Sequence, residues 1–97
     1  MLAKLAPHQQ TLLRAAEIIR ERGLYKGDYG TPGEPRCVLG ALREAAGDET
    51  GFATEEAASC LMSHLGREAL CPSLWNDAPE RTADDVVAAL QAAALTS

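Results

Sequence analysis

Aromatic side chains are scarce in this chain of 97 residues, at 4% of the sequence, although 46% of it is hydrophobic. A core made from such a sequence consists mainly of Leu, Ile, Val and Ala. Small side chains bury little surface, and burial contributes only about 25 cal/mol per Å² of apolar area. We therefore expect one domain, residues 1–97, of modest stability that homodimerisation would strengthen.

Positive charge is also in short supply. Nine Lys and Arg residues stand against 14 Asp and Glu residues, which gives a net charge of −5. Nucleic-acid binders usually present a basic face, whereas the bases here are scattered along the chain. Direct binding of nucleic acid is therefore disfavoured. An acidic surface instead suits a partner protein with a basic patch.

Two further absences bear on location. No apolar stretch is long enough for a signal peptide or a membrane span, so neither secretion nor a membrane partner is expected. The three cysteines, Cys37, Cys60 and Cys71, are an odd number, which argues against a disulfide framework. The sequence thus predicts a cytoplasmic protein.

What is present is helical periodicity. The spacing of apolar residues predicts an all-α fold, a small bundle of four short helices. Helix one spans residues 7–22 and helix two starts at Pro35 and ends at Gly47. Helix three is expected between a Thr54 cap and Gly66. Helix four begins at Thr82, whose hydroxyl and the Asp85 carboxylate form a short capping box.

Apolar stripes on these helices predict the core. In helix three the inner face comprises Ala57, Cys60 or Leu61, His64 and Leu65. In helix four the inner face comprises Val86, Val87, Leu90, Ala93 and Ala94.

Two connections are long. Residues 23–35, GLYKGDYGTPGEP, form a Gly- and Tyr-containing loop between helices one and two. Loops of this length are usually functional or mobile, and Tyr25 and Tyr29 either contact a partner or cover the core. Residues 67–81 form the second connection, with one helical turn around residues 68–71.

The second connection contains the single tryptophan, in SLWNDAPERT. Gly40 lies inside helix two, where glycine costs about 1 kcal/mol and usually has a packing reason. We predict that Trp75 packs over Gly40, while Asn76 and Asp77 shape the turn into Thr82 by side-chain to backbone hydrogen bonds. This structural interpretation is favoured over a binding role for these residues.

Three alternatives involve chemistry. Zinc could be held by Cys37, Cys60, His64 and Cys71, but no close Cys-x-x-Cys pair supports such a site, and small buried cysteines are the simpler interpretation. A Cys60–His64 nucleophile lacks an orienting third group. Tyr25, Tyr29, Trp75 and Asp77 could also line a ligand or enzyme pocket, in which case Asp77 should be buried with a raised pKa.

Three segments carry a resemblance: GLYKGDYG, RCVLGALREAAG and LWNDAPERTADDVVAALQAAA. They resemble a family of short uncharacterised proteins from actinobacteria and their phages, with Cys-x-x-Gly-Ala and Trp-Asn-Asp motifs. Over residues 12–94 the resemblance is carried by Cys37, Gly40, Ala41, Trp75, Asn76, Asp77 and Thr82. Leu24 departs from it, since an aromatic residue is expected there. The resemblance implies the helix layout and a bacterial or phage setting, and no catalytic residue.

The leading hypothesis is a small acidic helical module, adaptor or regulatory, that binds another protein and has no catalytic activity or cofactor. It would dock through the Gly/Tyr loop and the connection around Trp75, with Tyr25, Tyr29, Trp75, Asn76 and Asp77 as its binding residues.

Overall fold

A computed structural model describes residues 5–27, 30, 33–47, 52–66 and 72–96. Five helices lie in these ranges: α1 Pro7–Arg22, α2 Val38–Ala46, α3 Phe52–Leu65, α4 Pro72–Asp77 and α5 Ala83–Thr96. Across the same residues there is no β-strand, only isolated bridges. The predicted all-α class is confirmed, and the four longer helices correspond to the four that were predicted.

The helix α1 is the centre of the fold, since α2, α3 and α5 all pack against it. The fully buried apolar residues come from these four helices, which together we call the helical body. Its fully buried large apolar side chains are Leu12, Ile19, Val38, Leu42, Leu61, Val86 and Leu90. Small alanines fill the space between them, as the composition requires.

A glutamine ties the two ends of the chain together. The Gln9 side-chain oxygen accepts the Ala6 N–H at 2.8 Å, which satisfies one free donor at the start of α1. The side-chain amide of the same residue donates to the Ala94 carbonyl, also at 2.8 Å. Because Ala94 lies in the last turns of α5, this one side chain fixes α1 against α5.

The predicted start of α2 at Pro35 is wrong. Arg36 forms isolated β-bridges with Leu24 and Gly30, so the backbone here is extended, and α2 begins only at Val38. Cys37 is the N-cap, and its sulfur accepts the Gly40 N–H at 3.3 Å. Gly47 ends the helix in the left-handed conformation, with φ of 59°, as predicted.

Two predictions for α3 are wrong. The helix begins at Phe52, so Thr54 lies inside its first turn instead of capping it. The Thr54 hydroxyl is buried and has no hydrogen-bond partner in the described part of the chain. His64 is exposed, whereas Ala57 and Leu61 are buried as predicted. The helix ends just before Gly66, as predicted.

The start of α5 is confirmed in detail. Thr82 Oγ1 accepts the Asp85 N–H at 3.1 Å, and the Asp85 carboxylate accepts the Thr82 N–H at 2.9 Å. These two bonds form the capping box that was predicted. The predicted apolar face of this helix is buried throughout: Val86, Val87, Leu90, Ala93 and Ala94.

The short helix α4 was not predicted. The connection was expected to carry a helical turn at residues 68–71, which lie outside the described residues. The helix instead occupies Pro72–Asp77 and packs against α2. Pro72 is its first residue, a position that proline favours because its fixed φ suits a helix start.

A helix that crosses a bilayer must be both long and apolar. Within the described ranges, every helix is too short or too polar to span a membrane.

Candidate functional site

Four of the residues predicted to bind a partner meet where the chain leaving α1 passes α4: Tyr25, Trp75, Asn76 and Asp77. We call this region the α4 corner: residues 24–27, α4 and the turn at residues 78–81. Leu24 pairs with Arg36 in a β-bridge, and the Tyr25 N–H donates to the Arg36 carbonyl at 3.0 Å. These contacts hold residues 24–27 beside the start of α2, within reach of α4.

Asn76 is the centre of the corner and is fully buried. Its side-chain oxygen accepts the Val38 N–H at 2.8 Å. Its amide nitrogen donates to the Tyr25 carbonyl and to the Asp77 carboxylate, both at 3.0 Å. The Val38 N–H is a free donor at the first residue of α2, so Asn76 acts as an additional cap supplied by another helix. One side chain therefore joins α2, α4 and residues 24–27.

Asp77 and Lys26 add hydrogen bonds between α4, the turn that follows it and the loop, one from each side. The Asp77 carboxylate accepts the Gly27 N–H at 3.0 Å, so α4 binds the backbone of the loop. The Lys26 ammonium donates to the Ala78 carbonyl at 2.7 Å and lies 3.4 Å from the Pro79 carbonyl, so the loop binds the turn after α4. Residues 24–27 and α4 thus hold each other through polar contacts.

The same contacts set the charge state of Asp77. The Gly27 N–H and then the Asn76 amide stabilise the carboxylate, with a smaller contribution from Lys26, and they lower its pKa. The side chain lies on an exposed residue. An exposed carboxylate with a lowered pKa is a poor proton acceptor at neutral pH, which is the reverse of the buried, raised-pKa Asp that a catalytic pocket would need.

Trp75 lies on the other side of α4 and is partly buried against the helical body. The Arg81 guanidinium lies over its ring, with the central carbon 4.5 Å from the ring centre. Arg81 Nε also donates to the Trp75 carbonyl at 3.0 Å. Arg81 therefore covers the outer face of the indole while it closes the turn after α4.

Two large side chains of the corner remain exposed. Tyr25 is 45% exposed although its backbone N–H and carbonyl are both hydrogen-bonded. Leu74, in α4, is 61% exposed. Tyr29, the other predicted aromatic contact, lies outside the described residues. The corner therefore presents at least one aromatic and one aliphatic group on a fixed backbone.

The roles predicted for Asn76 and Asp77 need correction. Both make side-chain to backbone hydrogen bonds, but to residues 25, 27 and 38 and not to the turn before Thr82. That turn is closed by other groups, the Arg81 N–H to the Ala78 carbonyl and the capping box. The contact of Trp75 with Gly40 stays a prediction, although α2 and α4 do pack together.

A second polar cluster lies where the loop meets α2. Glu44 accepts hydrogen bonds from Arg22 and from the buried Arg36. Burial raises the pKa of the Glu44 carboxyl, but the bonds from the two arginines, assisted by the Gly33 N–H, outweigh it and lower the pKa overall. This cluster joins the end of α1 to the residues before α2, and it is a structural one.

The proposed zinc ligands are dispersed. Cys37 is buried and caps α2, the Cys60 thiol donates to the Ala93 carbonyl at 3.7 Å, and His64 is exposed. Cys71 lies outside the described residues. Within the described ranges no three His, Cys, Asp or Glu residues form a group that could hold a metal ion. The contacts of Cys37 and Cys60 are those of structural cysteines.

Two surface depressions lie away from the α4 corner. One lies along α1 beside Glu44, and the other lies between the start of α1 and the end of α2. Neither is lined by Tyr25, Trp75 or Asp77, the residues of the predicted pocket.

Sequence reasoning missed the residues that complete the corner. Lys26 and Arg81 bind carbonyls that are 52 and six positions away in the chain, and no spacing rule connects such residues. The ion pair between Arg36 and Glu44 likewise forms only because the loop folds back on α2. For α4, by contrast, the proline at its first position was an available signal.

No curated protein and no solved structure matches the chain. The family model that matches is described as a family of unknown function, DUF6197, and it covers residues 4–96. The chain therefore belongs to this family, DUF6197.

Proposed function

We propose that this protein is a protein-binding module without catalytic activity, and that it docks another protein through the α4 corner. The observation that carries the proposal is Tyr25. Its backbone is fixed by hydrogen bonds on both sides, yet nearly half of its side chain faces solvent. Tyrosine contributes strongly to interface energies, and a side chain on a fixed backbone loses little entropy on binding.

Leu74 supports the same surface. It is a large apolar residue exposed on a helix of only six residues, which is attached to the rest of the molecule by the buried Asn76. Exposed apolar residues are common singly, so Leu74 alone says little. Its place on the same short element as the partly buried Trp75 makes it the second contact of the proposed surface.

The chemistry of the corner favours binding over catalysis. Asp77 lies two residues after Trp75, and its lowered pKa suits a hydrogen-bond acceptor better than a general base. The acidic net charge of −5 favours a partner with a basic patch. We extend the proposal to a cytoplasmic setting, which the odd number of cysteines supports, in an actinobacterium or one of its phages, which the resemblance of the three sequence segments supports.

Site-specific photo-crosslinking tests the docking surface. A photoreactive phenylalanine analogue at position 25 is expected to capture a defined protein in host cells, and the same analogue at position 20, exposed on α1, is not. The captured protein is then purified and its affinity measured. Tyr25→Ala should weaken binding about tenfold or more.

A pair of matched leucine variants sharpens the test. Leu74→Ala removes an exposed leucine of the α4 corner, and Leu95→Ala removes one that is 72% exposed on α5. We expect weaker binding only for Leu74→Ala. Equal affinities for Tyr25→Ala, Leu74→Ala, Leu95→Ala and the parent protein would show that the partner binds elsewhere.

A further inference from the structure

The α4 corner differs from the helical body in how it is attached. Neither α4 nor residues 24–27 contribute a fully buried apolar residue to the core. Leu24 and Trp75 are only partly buried against it. The fully buried apolar residues consequently all lie outside these two segments, in the other four helices.

Each of the two segments depends on the other. A helix of six residues is far too short to be stable alone, since the cost of nucleation is not recovered over so few bonds. Residues 25–27 in turn use acceptors and donors that α4 and the following turn supply, through Asn76, Asp77 and Ala78. If α4 leaves, the loop segment loses these partners and retains the Tyr25 N–H bond to the Arg36 carbonyl.

We infer that residues 25–27 and α4 form a latch, which opens as one cooperative unit while the helical body stays folded. Asn76 attaches the latch to the helical body, since its side-chain oxygen accepts the Val38 N–H and so joins α4 to α2. Opening frees the Val38 N–H and uncovers the inner face of Trp75. Such a unit, with few buried apolar contacts and many polar ones, is where a protein opens at least cost.

The latch provides a conformational device that ligands can shift. A molecule that binds the closed corner holds the latch shut, and one that binds the inner face of Trp75 holds it open. Neither outcome requires the helical body to change. This inference concerns opening of the free protein and does not depend on the proposed docking function.

Amide hydrogen exchange of the full chain by NMR tests the cooperativity. The reporters are the Gly27, Val38 and Asn76 amides, which lie in the loop, at the start of α2 and within α4. In the parent protein the three should exchange with one common opening free energy. Three clearly different values would overturn the inference.

Two variants test whether a change in one segment reaches the other. Lys26→Met removes the bonds to the Ala78 and Pro79 carbonyls and the attraction to the Asp77 carboxylate, none of which involves Val38, yet it should speed exchange at Val38 about threefold to tenfold. Arg20→Met, an exposed residue of α1, is the control and should leave Val38 unchanged. Asn76→Ala should speed exchange at Gly27 about tenfold or more, although the Gly27 N–H binds Asp77 and not Asn76. Unchanged exchange at Val38 in Lys26→Met would show that the segments open independently, and this holds even if Asn76→Ala does not fold.

Discussion

The helical body and the α4 corner are built from the same chain by different forces. In the body, α2, α3 and α5 pack around α1 through buried Leu, Ile, Val and Ala side chains. In the corner, a short helix and a loop segment are joined by directional bonds to Asn76, Asp77 and Lys26. Apolar packing tolerates small shifts, whereas a buried polar side chain needs all its partners at once. The comparison predicts that the two regions respond differently to substitution.

Leu90→Ala in the body should have the largest effect. Leu90 is fully buried in α5, so the substitution leaves a cavity and should lower the free energy of unfolding by about 3 kcal/mol. Because the native state keeps its shape, the slope of that free energy against urea concentration should not change. Urea unfolding followed by circular dichroism measures both quantities.

Leu95→Ala is the matched control for this substitution, since Leu95 is exposed on the same helix. It should leave the free energy of unfolding within about 0.5 kcal/mol of the parent value. Equal destabilisation by the two variants would contradict the placement of Leu90 in the core.

Asn76→Ala should have a smaller effect of a different kind. The substitution leaves the Val38 N–H and the Tyr25 carbonyl without partners and should cost about 2 kcal/mol. Because the latch then opens and exposes surface in the native state, the urea slope should fall as well. Trp75 emission should move to longer wavelength as its inner face meets water.

Gln10→Ala is the control for loss of an amide side chain. The Gln10 amide donates to the Leu5 carbonyl at an exposed position, so Gln10→Ala should lower the free energy of unfolding by less than about 0.5 kcal/mol. An unchanged urea slope and unchanged emission in Asn76→Ala would remove the distinction between the corner and the body.

The pH dependence of stability should show the smallest difference between the α4 corner and the helical body. Asp77 and Glu44 have lowered pKa values in the folded protein, so the stability they contribute is present above their unfolded values, near 4. It is lost as the pH falls through the folded values. Urea midpoints measured from pH 7 to pH 3 should therefore decline below about pH 4.

Asp77→Asn isolates the share of the corner in this decline. The substitution should lower the free energy of unfolding by about 0.5 kcal/mol at pH 7, since the carboxylate is exposed. The decline of the urea midpoint below pH 4 should become shallower. An identical acid decline in the variant and the parent protein would show that Asp77 does not contribute.

The sequence predicted the body far better than the corner. Helical periodicity located α1, and the Thr82–Asp85 spacing identified the capping box of α5, because both are local properties of the chain. The start of α2 was misplaced because Arg36 pairs with Leu24 and Gly30, which holds the chain extended past Pro35. Such non-local pairing leaves no periodic signal.

The corner shows the same limit more clearly. Trp75, Asn76 and Asp77 were identified as a structural unit, but the partners of Asn76 and Asp77 were misassigned to the following turn. The partners of Asn76 lie at Val38 and Tyr25, 38 and 51 positions away, and single-sequence reasoning has no means to choose them. Only the folded chain specifies these bonds.

The most direct test compares the opening free energies of two amides in the parent protein under native conditions. The Val38 amide is bonded to Asn76, and the Leu90 amide lies within α5 in the core. The account predicts that Val38 exchanges through an opening of clearly lower free energy, with a weak dependence on urea, while Leu90 exchanges only by global unfolding. Equal free energies with equal urea dependence would contradict it, since the corner and the body would then unfold as one.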